Sequence, residues 1–342
     1  MARYAMGLVV GKFAPLHRGH EALIAFAQSR CEQLLVLSYT RPEFEPALPA
    51  QRRAWLQALF PQVPSVVIDD TWLQQRGIAL RLLSNDATDA EHQRFLAQLL
   101  RDGLGCPVDA LFASEDYVHA TAAVLAQAFG RPVAAVSFDP ARAGVPISAS
   151  RIRAEPHRHR RFLDPRVYAS FVSRIALVGG ESTGKTTLAR DLAAHYGSVW
   201  AAEYGRELWE EQAGVLNEAD LLRVARTQVA REDTLLAQAH QVLACDTTPL
   251  VTQCYAEAMF GRCDEELQAL SQRPYAHWFL CEPDFPLVQD GTRRDEAFRQ
   301  WQHRWYEGRL AERRIAFTRL AGTPSQRLAQ VVAVIGAVQP AH

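Results

Sequence analysis

Two segments of this chain combine glycine with histidine, lysine or hydroxyl side chains at spacings that suit phosphate chemistry. The first, residues 11–20, reads GKFAPLHRGH and contains His-x-Gly-His. The second, residues 179–186, reads GGESTGKT and is a complete P-loop. Each segment follows an apolar run, so each is expected to connect a buried strand to the start of a helix. Two such sites of different kinds predict two consecutive reactions on one metabolite.

The first segment has the residue types that bind phosphate oxygens during catalysis. The rings of His17 and His20 can donate hydrogen bonds, and Gly11 lets the backbone approach a phosphate. Lys12 and Phe13 are further candidate contacts to ATP, with a surface lysine as the alternative for Lys12. The alternative for the histidines is that they only pack at a strand–helix corner.

A second motif, at the end of the same half, favours the phosphate interpretation. Residues 147–153 read ISASRIR, with Ser148 and Ser150 at a predicted helix start and Arg153 one turn inside that helix. Hydroxyl groups cap a helix N-terminus, and a guanidinium can bind two phosphate oxygens at once. We therefore expect a second anion contact here.

Four other residues of this half are weaker candidates. Glu115 and Tyr117 follow a predicted strand, where open α/β sheets bind ligands, and are candidate substrate contacts. A purely structural turn is the alternative. Arg52 or Arg53 is expected either to reach the site or to lie on a solvated helix face.

The P-loop predicts that the second half of the chain holds a nucleoside triphosphate. Lys185 is expected to reach the β and γ oxygens, and Thr186 to ligate Mg²⁺. Arg293 and Arg294 are expected either to belong to a mobile lid over the γ-phosphate or to be a solvated pair. The other candidate nucleotide contacts are Gly179, Ser182, Thr183, Gly184 and Thr187.

Carboxylates that follow later strands are expected to supply the acceptor side of the second site. Glu203 is the first candidate for a base that takes the proton of a hydroxyl acceptor, and Tyr204 is a candidate substrate contact beside it. Asp246 ends another predicted strand and is a candidate substrate contact and the second ligand of Mg²⁺. Asp246 is also the alternative candidate for the base.

The order of predicted elements indicates an α/β protein with two domains. At 342 residues, with 48% hydrophobic side chains, the chain can bury two cores. Short apolar runs alternate with helical patterns in both halves, which is typical of parallel sheets covered by helices. We expect a Rossmann-like domain at 1–165 and a P-loop domain at 166–342, with a basic linker at 155–166.

Composition argues against several classes of protein. A net charge of -1 gives no electrostatic footprint for nucleic acid. No apolar stretch reaches the roughly 18–20 residues that span a bilayer, and no signal peptide is recognised. The six cysteines lack metal-binding spacing and indicate reduced thiols. We expect a cytoplasmic protein without a nucleic-acid partner or a membrane span.

The two motifs of the first half resemble those of the nucleotidyltransferase superfamily, His-x-Gly-His and Ile-Ser-Ser-Thr-x-x-Arg. Ala149 replaces a serine of the second signature, and Ser150 replaces its threonine. With FASEDY at 112–117, the P-loop, EYGR at 203–206 and VQDG at 288–291, nearly the whole chain resembles one family. That family is the NadR type of bifunctional nicotinamide mononucleotide (NMN) adenylyltransferase and ribosylnicotinamide kinase.

The resemblance implies an N-terminal nucleotidyltransferase domain, a C-terminal P-loop kinase domain and two ATP-dependent reactions. The kinase domain would phosphorylate the 5′-hydroxyl of nicotinamide riboside to give NMN, with Lys185 and Glu203 as catalytic residues. The other domain would join NMN to the AMP part of a second ATP, giving NAD and pyrophosphate. Positioning and charge stabilisation by His17, His20, Arg153 and Mg²⁺ would carry this step.

Two other functions stay open at this stage. One is a nucleotide-sensing regulatory protein, which Ala149 suggests, and the other is a kinase fused to an adenylyltransferase for a different acceptor. Some family members carry an N-terminal helix-turn-helix and repress transcription; here Met1 directly precedes the first strand, so we expect no repressor role. The resemblance also leaves open a homo-oligomer and a functional link to a nicotinamide riboside transporter.

Overall fold

Parallel strands form the centre of both halves of the chain. The structure is a computed structural model that describes residues 3–288 and 294–337. Its internal contacts divide the chain into two units, Met1–Phe171 and Val172–His342. The domain boundary at 165/166 stays a prediction, and residues 155–166 lie within the first unit.

The first unit is a five-stranded parallel sheet in the order β3-β2-β1-β4-β5, with helices between the strands. Its strands are β1 Tyr4–Gly11, β2 Cys31–Ser38, β3 Ser65–Val67, β4 Ala110–Ala113 and β5 Ala134–Ser137. Its helices are α1 Arg18–Arg30, α2 Pro49–Leu59, α3 Asp70–Gln75, α4 Asp89–Gln98, α5 Val118–Phe129, α6 Ala149–Ala154 and α7 Pro165–Tyr168. The strand order changes direction between β1 and β4, which opens a crevice at their carboxyl ends.

The central strand β1 is apolar because helices cover both faces of the sheet. Leu8 and Val9 are fully buried, and Leu8 is in register with Leu35 of β2 and Leu111 of β4. This core holds the end of β1, and with it the loop that carries the first motif, in a fixed place.

The second unit is also a five-stranded parallel sheet, in the order β10-β9-β6-β8-β7. Its strands are β6 Ser173–Val178, β7 Trp200–Ala201, β8 Val242–Asp246, β9 His277–Cys281 and β10 Thr318–Leu320. Its helices are α8 Lys185–Tyr196, α9 Tyr204–Glu211, α10 Glu218–Leu236, α11 Pro249–Phe260, α12 Glu265–Leu270, α13 Glu296–Glu312 and α14 Pro324–Ala337. The P-loop connects the central strand β6 to α8.

The structure also describes the cysteines, the aromatic group of the second half and the helix lengths. All six cysteines are free thiols, as expected. Tyr306 is fully buried, and Trp301 and Trp305 pack beside it against the core of the second unit. Within the described ranges, no helix has the length and apolar character needed to cross a membrane.

Candidate active sites

The loop between β1 and α1 holds two histidine rings against each other. His17 precedes the first turn of α1, and its Nδ1 accepts a hydrogen bond from the Gly19 N–H at 3.2 Å. The His17 N–H donates to Nδ1 of His20 at 3.4 Å, and the two ring centroids lie 3.7 Å apart. A Cβ at Gly19 would lie 3.1 Å from the His17 ring, so glycine makes room for this arrangement.

Both histidine rings are neutral at pH 7. Burial and the charge of Arg142 lower the pKa of His17 to about 4. Burial, His17 and Arg142 lower the pKa of His20 well below its usual value, against a hydrogen bond to the Pro15 carbonyl that raises it. Because Nδ1 of His17 is an acceptor, its neutral ring carries the proton on Nε2 and can donate from there. The positive charge on the cavity wall at pH 7 therefore comes from lysine and arginine.

A single cavity of about 500 Å³ brings together every candidate residue of the first half, apart from the alternative pair Arg52 and Arg53. These residues are Gly11, Lys12, Phe13, His17, His20, Glu115, Tyr117, Ser148, Ser150 and Arg153. They come from the ends of β1 and β4, from the start of α1 and from α6 with the residue before it. The cavity thus lies at the crevice where an open α/β sheet binds ligands.

The second motif packs against the first through Arg153. Its guanidinium donates to the Ala14 carbonyl and lies 4.1 Å from the centre of the Phe44 ring. Ser148 begins α6, as predicted, and its hydroxyl accepts from the Arg151 N–H at 3.4 Å. The two motifs, at opposite ends of the first unit's sequence, are therefore parts of one wall.

Arg52 contradicts the expectation of a solvated helix face. It is fully buried, and it donates to the Lys12 carbonyl at 3.2 Å and to the Ser38 hydroxyl at 2.8 Å. Both Glu43 carboxylate oxygens also accept from it, at 2.8 and 2.6 Å. Arg53 pairs with Asp69 instead, and neither arginine belongs to the described residues that line the cavity. Arg52 therefore supports the loop between β1 and α1 without lining the cavity.

Several residues of the cavity wall carry no sequence motif. Tyr39, Asn85, Asp89 and His92 line it on the β2 side, and Phe138, Asp139 and Arg142 line it on the β5 side. The only signal that points to them is their position after strands or at a helix start, on the binding edge of the sheet. That signal marks many residues equally, which is why these were missed.

Hydrogen bonds within the P-loop hold its backbone in a defined conformation. Its chain takes positive φ angles at Gly179 (144°), Ser182 (54°) and Gly184 (79°). Lys185 Nζ donates to the carbonyls of Gly179 and Gly180 at 2.9 and 2.8 Å, and the buried Thr183 hydroxyl donates to Gly180 at 2.8 Å. The lysine must leave these carbonyls in order to reach a phosphate.

Arg327 of α14 supports the P-loop and was not predicted. This buried side chain donates to the carbonyls of Thr183 at 2.6 Å, Glu282 at 2.9 Å and Gly322 at 3.0 Å. Its guanidinium also lies 4.5 Å from the centre of the Phe285 ring. Beside it is a cavity of about 400 Å³, whose lining includes Ser182, Gly184, Thr187, Phe285, Pro324 and Arg327.

The carboxylates of the second site lie next to Lys185. Burial raises the pKa of Asp246, while a hydrogen bond from the Thr186 hydroxyl and the charge of Lys185 lower it. Burial and Asp246 raise the pKa of Glu203, against Lys185 and Arg206, which lower it. Glu203 and Asp246 therefore share one electrostatic environment with the phosphate-binding lysine.

Thr186 and Asp246 fit a magnesium ion. Asp246 is 1% exposed, and its Oδ1 has no hydrogen-bond partner among the described residues. A hydroxyl and a carboxylate are hard oxygen donors, and Mg²⁺ in proteins is commonly held by one or two such groups together with substrate phosphates. Within the described ranges, no cluster of three or more His, Cys, Asp or Glu side chains is placed to hold a metal ion.

The remaining candidates of the second half are Tyr204, Arg293 and Arg294. Tyr204 is buried with Leu208 and Val224, and its role as a substrate contact stays a prediction. Arg293 lies outside the described residues. The Arg294 guanidinium lies 4.1 Å from the centre of the Phe298 ring, and its N–H donates to Glu181 at 2.8 Å.

Two protein-family models match this chain, one in each unit. A model described as "Cytidylyltransferase-like" matches residues 8–155, and one described as "AAA domain" matches residues 174–327. These matches and the two parallel sheets confirm the expected α/β fold class, a nucleotidyltransferase-like half followed by a P-loop half.

Individual proteins match over both halves together. The "Trifunctional NAD biosynthesis/regulator protein NadR" of Escherichia coli (strain K12) is 29% identical over 304 residues, which cover 84% of this chain and 71% of that protein. A crystal structure of "NadR protein in complex with NR" has a TM-score of 0.72 at 21% identity, covering 100% of this chain and 99% of that one. Another, "in complex with NAD and AMP-PNP", has a TM-score of 0.70 at 20% identity, with coverage of 100% and 99%.

Proposed function

We infer that this chain is a NadR-type bifunctional enzyme of NAD biosynthesis. Its second unit phosphorylates nicotinamide riboside with ATP, and its first unit transfers the adenylyl group of another ATP to the NMN formed. The names of its relatives support this inference, since one is a NAD biosynthesis protein and two neighbours were solved with NR or with NAD and AMP-PNP.

The observation that carries this inference is the cavity of the first unit. A P-loop alone indicates only the use of a nucleoside triphosphate. The cavity adds His17, His20 and Arg153 around one space large enough for a nucleotide. A kinase that produces a phosphate ester and a second site that consumes one then form two steps of a single conversion.

In the adenylyl transfer, an oxygen of the NMN phosphate attacks the α-phosphorus of ATP. The new bond is the central P–O bond of NAD, and the bond from the α-phosphorus to the bridging oxygen breaks, its electron pair leaving with pyrophosphate. We propose that His17 and His20 act as neutral hydrogen-bond partners where charge builds on the oxygens. Lys12 and Arg153 supply positive charge. No covalent enzyme intermediate is needed, because the substrate phosphate is already a nucleophile.

In the kinase step, the 5′-hydroxyl of the riboside attacks the γ-phosphorus and loses a proton. The bond from the γ-phosphorus to the β–γ bridging oxygen breaks, and its electron pair leaves with ADP. We propose Glu203 as the base, because its raised pKa brings it closer to the operating pH. Lys185 exchanges the carbonyls of Gly179 and Gly180 for phosphate oxygens. Thr186 and Asp246 would hold Mg²⁺, which supplies charge neutralisation at the β and γ oxygens.

The cavity beside the P-loop is the proposed place of the adenine ring in the kinase unit. Phe285 and Pro324 offer apolar surface there, and Thr187, which directly follows the P-loop in sequence, lines the same cavity. Such a mixed wall suits an aromatic base that continues into a charged triphosphate.

The setting of the enzyme is also part of the proposal. We propose a cytoplasmic enzyme that uses Mg²⁺-ATP. A homo-oligomer and a functional link to a nicotinamide riboside transporter are further hypotheses, tested by light scattering and by riboside uptake in cells with and without the protein.

Mass-spectrometric tracking of purified protein with nicotinamide riboside and Mg²⁺-ATP tests the function. We expect NMN to appear first and NAD with pyrophosphate to follow. The second candidate function is a nucleotide-sensing regulator, because Ala149 lines the cavity where the superfamily has a serine. Such a regulator would bind NAD and ATP without turnover. Pyrophosphate release with another phosphorylated acceptor, but not with NMN, would indicate a different acceptor.

A further inference from the structure

Arg142 lies on the cavity wall of the first unit, in the loop that follows β5. The loop is closed by Asp139, whose Oδ1 and Oδ2 accept from the N–H groups of Ala143 and Gly144 at 2.8 and 2.9 Å. The Asp139 carbonyl accepts from the Arg142 N–H at 2.8 Å, and both residues take positive φ angles, 45° and 52°. A specific turn therefore presents Arg142 to the cavity.

The guanidinium of Arg142 is close to the catalytic histidines. Its charge is one of the causes that lower the pKa of both His17 and His20. Its Nη2 lies 3.2 Å from a Glu115 oxygen, with 43% of the Arg142 side chain and 58% of the Glu115 side chain exposed. An ion pair as exposed as this one is weak, so a phosphate can replace the carboxylate.

Arg142 adds to the few cationic side chains of the cavity wall. With both histidines neutral, the positive charges among the described residues of the wall are Lys12, Arg142 and Arg153. Arg153 is already engaged with the Ala14 carbonyl and the Phe44 ring. The reaction moves negative charge onto pyrophosphate, a group that arginine binds in a bidentate manner.

We propose that Arg142 is a catalytic residue of the adenylyl transfer. Its guanidinium leaves Glu115 when ATP enters and binds the triphosphate as the bond to pyrophosphate breaks. This inference rests on the proposed function of the first unit. Glu115 then has the role of an exchange partner, which holds the guanidinium at the cavity until the nucleotide enters.

The test compares Arg142→Met with the control Arg131→Met. Arg131 is a close match, because it is 42% exposed, pairs with Asp109 at 3.1 Å and lies outside the described lining of the cavity. We expect Arg142→Met to lower kcat/KM for NMN adenylylation by about 10²–10³-fold. Arg131→Met should stay within about twofold of the wild type. Riboside phosphorylation should be unchanged in both variants.

Two further measurements distinguish catalysis from support of the loop. Guanidinium chloride at non-denaturing concentration should restore part of the adenylyl transfer in Arg142→Ala and none in His20→Ala. Arg142→Lys, which keeps the charge but not the fork, should retain intermediate activity. Full adenylyl transfer in Arg142→Met, or a loss that neither guanidinium nor lysine relieves, would overturn the inference.

Failure of this inference differs from failure of the proposed function. If the wild type makes no NAD from NMN and ATP, both are refuted. If the wild type makes NAD and Arg142→Met makes it equally fast, only the role of Arg142 is refuted.

Discussion

At the scale of single residues, burial decides what the two histidines can do. His17 is 6% exposed and stacks on His20, and burial favours the neutral form of both rings. In the proposed adenylyl transfer, neutral His17 donates from Nε2, and Lys12 and the arginines of the wall supply the positive charge.

The lowered pKa of His17 predicts a pH dependence of stability. The unfolded ring takes up a proton near its usual pKa of 6.5 and the folded ring only near about 4. Between pH 6.5 and pH 4 the unfolded state binds more protons than the folded state. The contribution of His17 to the free energy of unfolding is therefore complete above pH 6.5 and falls as the pH drops towards 4. From pH 7 to pH 5 we expect the wild type to lose roughly 1–2 kcal/mol more than His17→Asn, which keeps a capping side chain. Equal losses in urea unfolding of the two proteins would contradict this.

Replacement of Arg52 is expected to weaken adenylyl transfer, although Arg52 is not among the described residues that line the cavity. Arg52→Met removes the donors to Lys12 and Ser38 and leaves Glu43 without its partner. We expect a loss of about 2–4 kcal/mol in stability and a weakened adenylyl transfer, because the loop loses its support. Riboside phosphorylation should persist.

Arg101→Met is the control for Arg52. Arg101 also pairs with a carboxylate, that of Asp102, at 2.7 Å, but its side chain is 51% exposed. Its replacement should change stability by no more than about 1 kcal/mol. Equal effects of the two substitutions in thermal unfolding and in adenylyl transfer would show that burial of Arg52 is unimportant.

The sequence predicts residues that belong to motifs and misses those that act through the fold. His17, His20 and Lys185 are marked by spacing to glycine. Arg142 and Arg327 are not, because their positions depend on a turn after β5 and on the packing of α14. Arg52 shows the same limit, since only its burial tells it apart from Arg53 on the same helix.

At the scale of elements, each site depends on a strand that delivers a glycine-containing turn to a helix. Gly179 shows the constraint most clearly, since its φ is 144° and a Cβ there would lie 2.8 Å from the Cys281 carbonyl of β9. The P-loop can therefore approach its neighbouring strand only with glycine at this position.

Gly179→Ala is expected to abolish most riboside phosphorylation, because the backbone of the P-loop must shift away from β9. Strain of this kind costs about 1–3 kcal/mol, and the displaced loop no longer surrounds the phosphates. Gly308→Ala is the control, because Gly308 lies within α13 with nothing within 4 Å of its added Cβ. That change should stabilise the protein by about 0.5–1 kcal/mol and leave activity unchanged. A kinase assay in which Gly179→Ala matches the wild type would contradict this prediction.

Element types followed from the sequence better than sheet order did. Alternating apolar runs and helical patterns predict parallel sheets covered by helices, and each motif is predicted to connect a strand to a helix; the structure confirms both. The orders β3-β2-β1-β4-β5 and β10-β9-β6-β8-β7 depend on contacts between distant segments, so local patterns do not specify them. Residues 155–166 read as a linker from their composition, but Arg166 donates to the Ala58 carbonyl at 2.9 Å within the first unit.

At the scale of the whole molecule, two nucleotide sites share a metabolite. The P-loop unit makes a phosphate ester, and the unit with the histidine pair uses that phosphate as a nucleophile. Because each site has its own loop, its own cavity and its own cations, a substitution in one should leave the chemistry of the other intact.

The most direct test of this claim is to separate the activities with His20→Ala and Lys185→Ala. We expect His20→Ala to accumulate NMN from nicotinamide riboside, with NAD formation lowered at least about 10²-fold. Lys185→Ala should leave the riboside unreacted but still convert added NMN to NAD, because only its P-loop is impaired. The loss of both activities in either folded variant would contradict the two-site account.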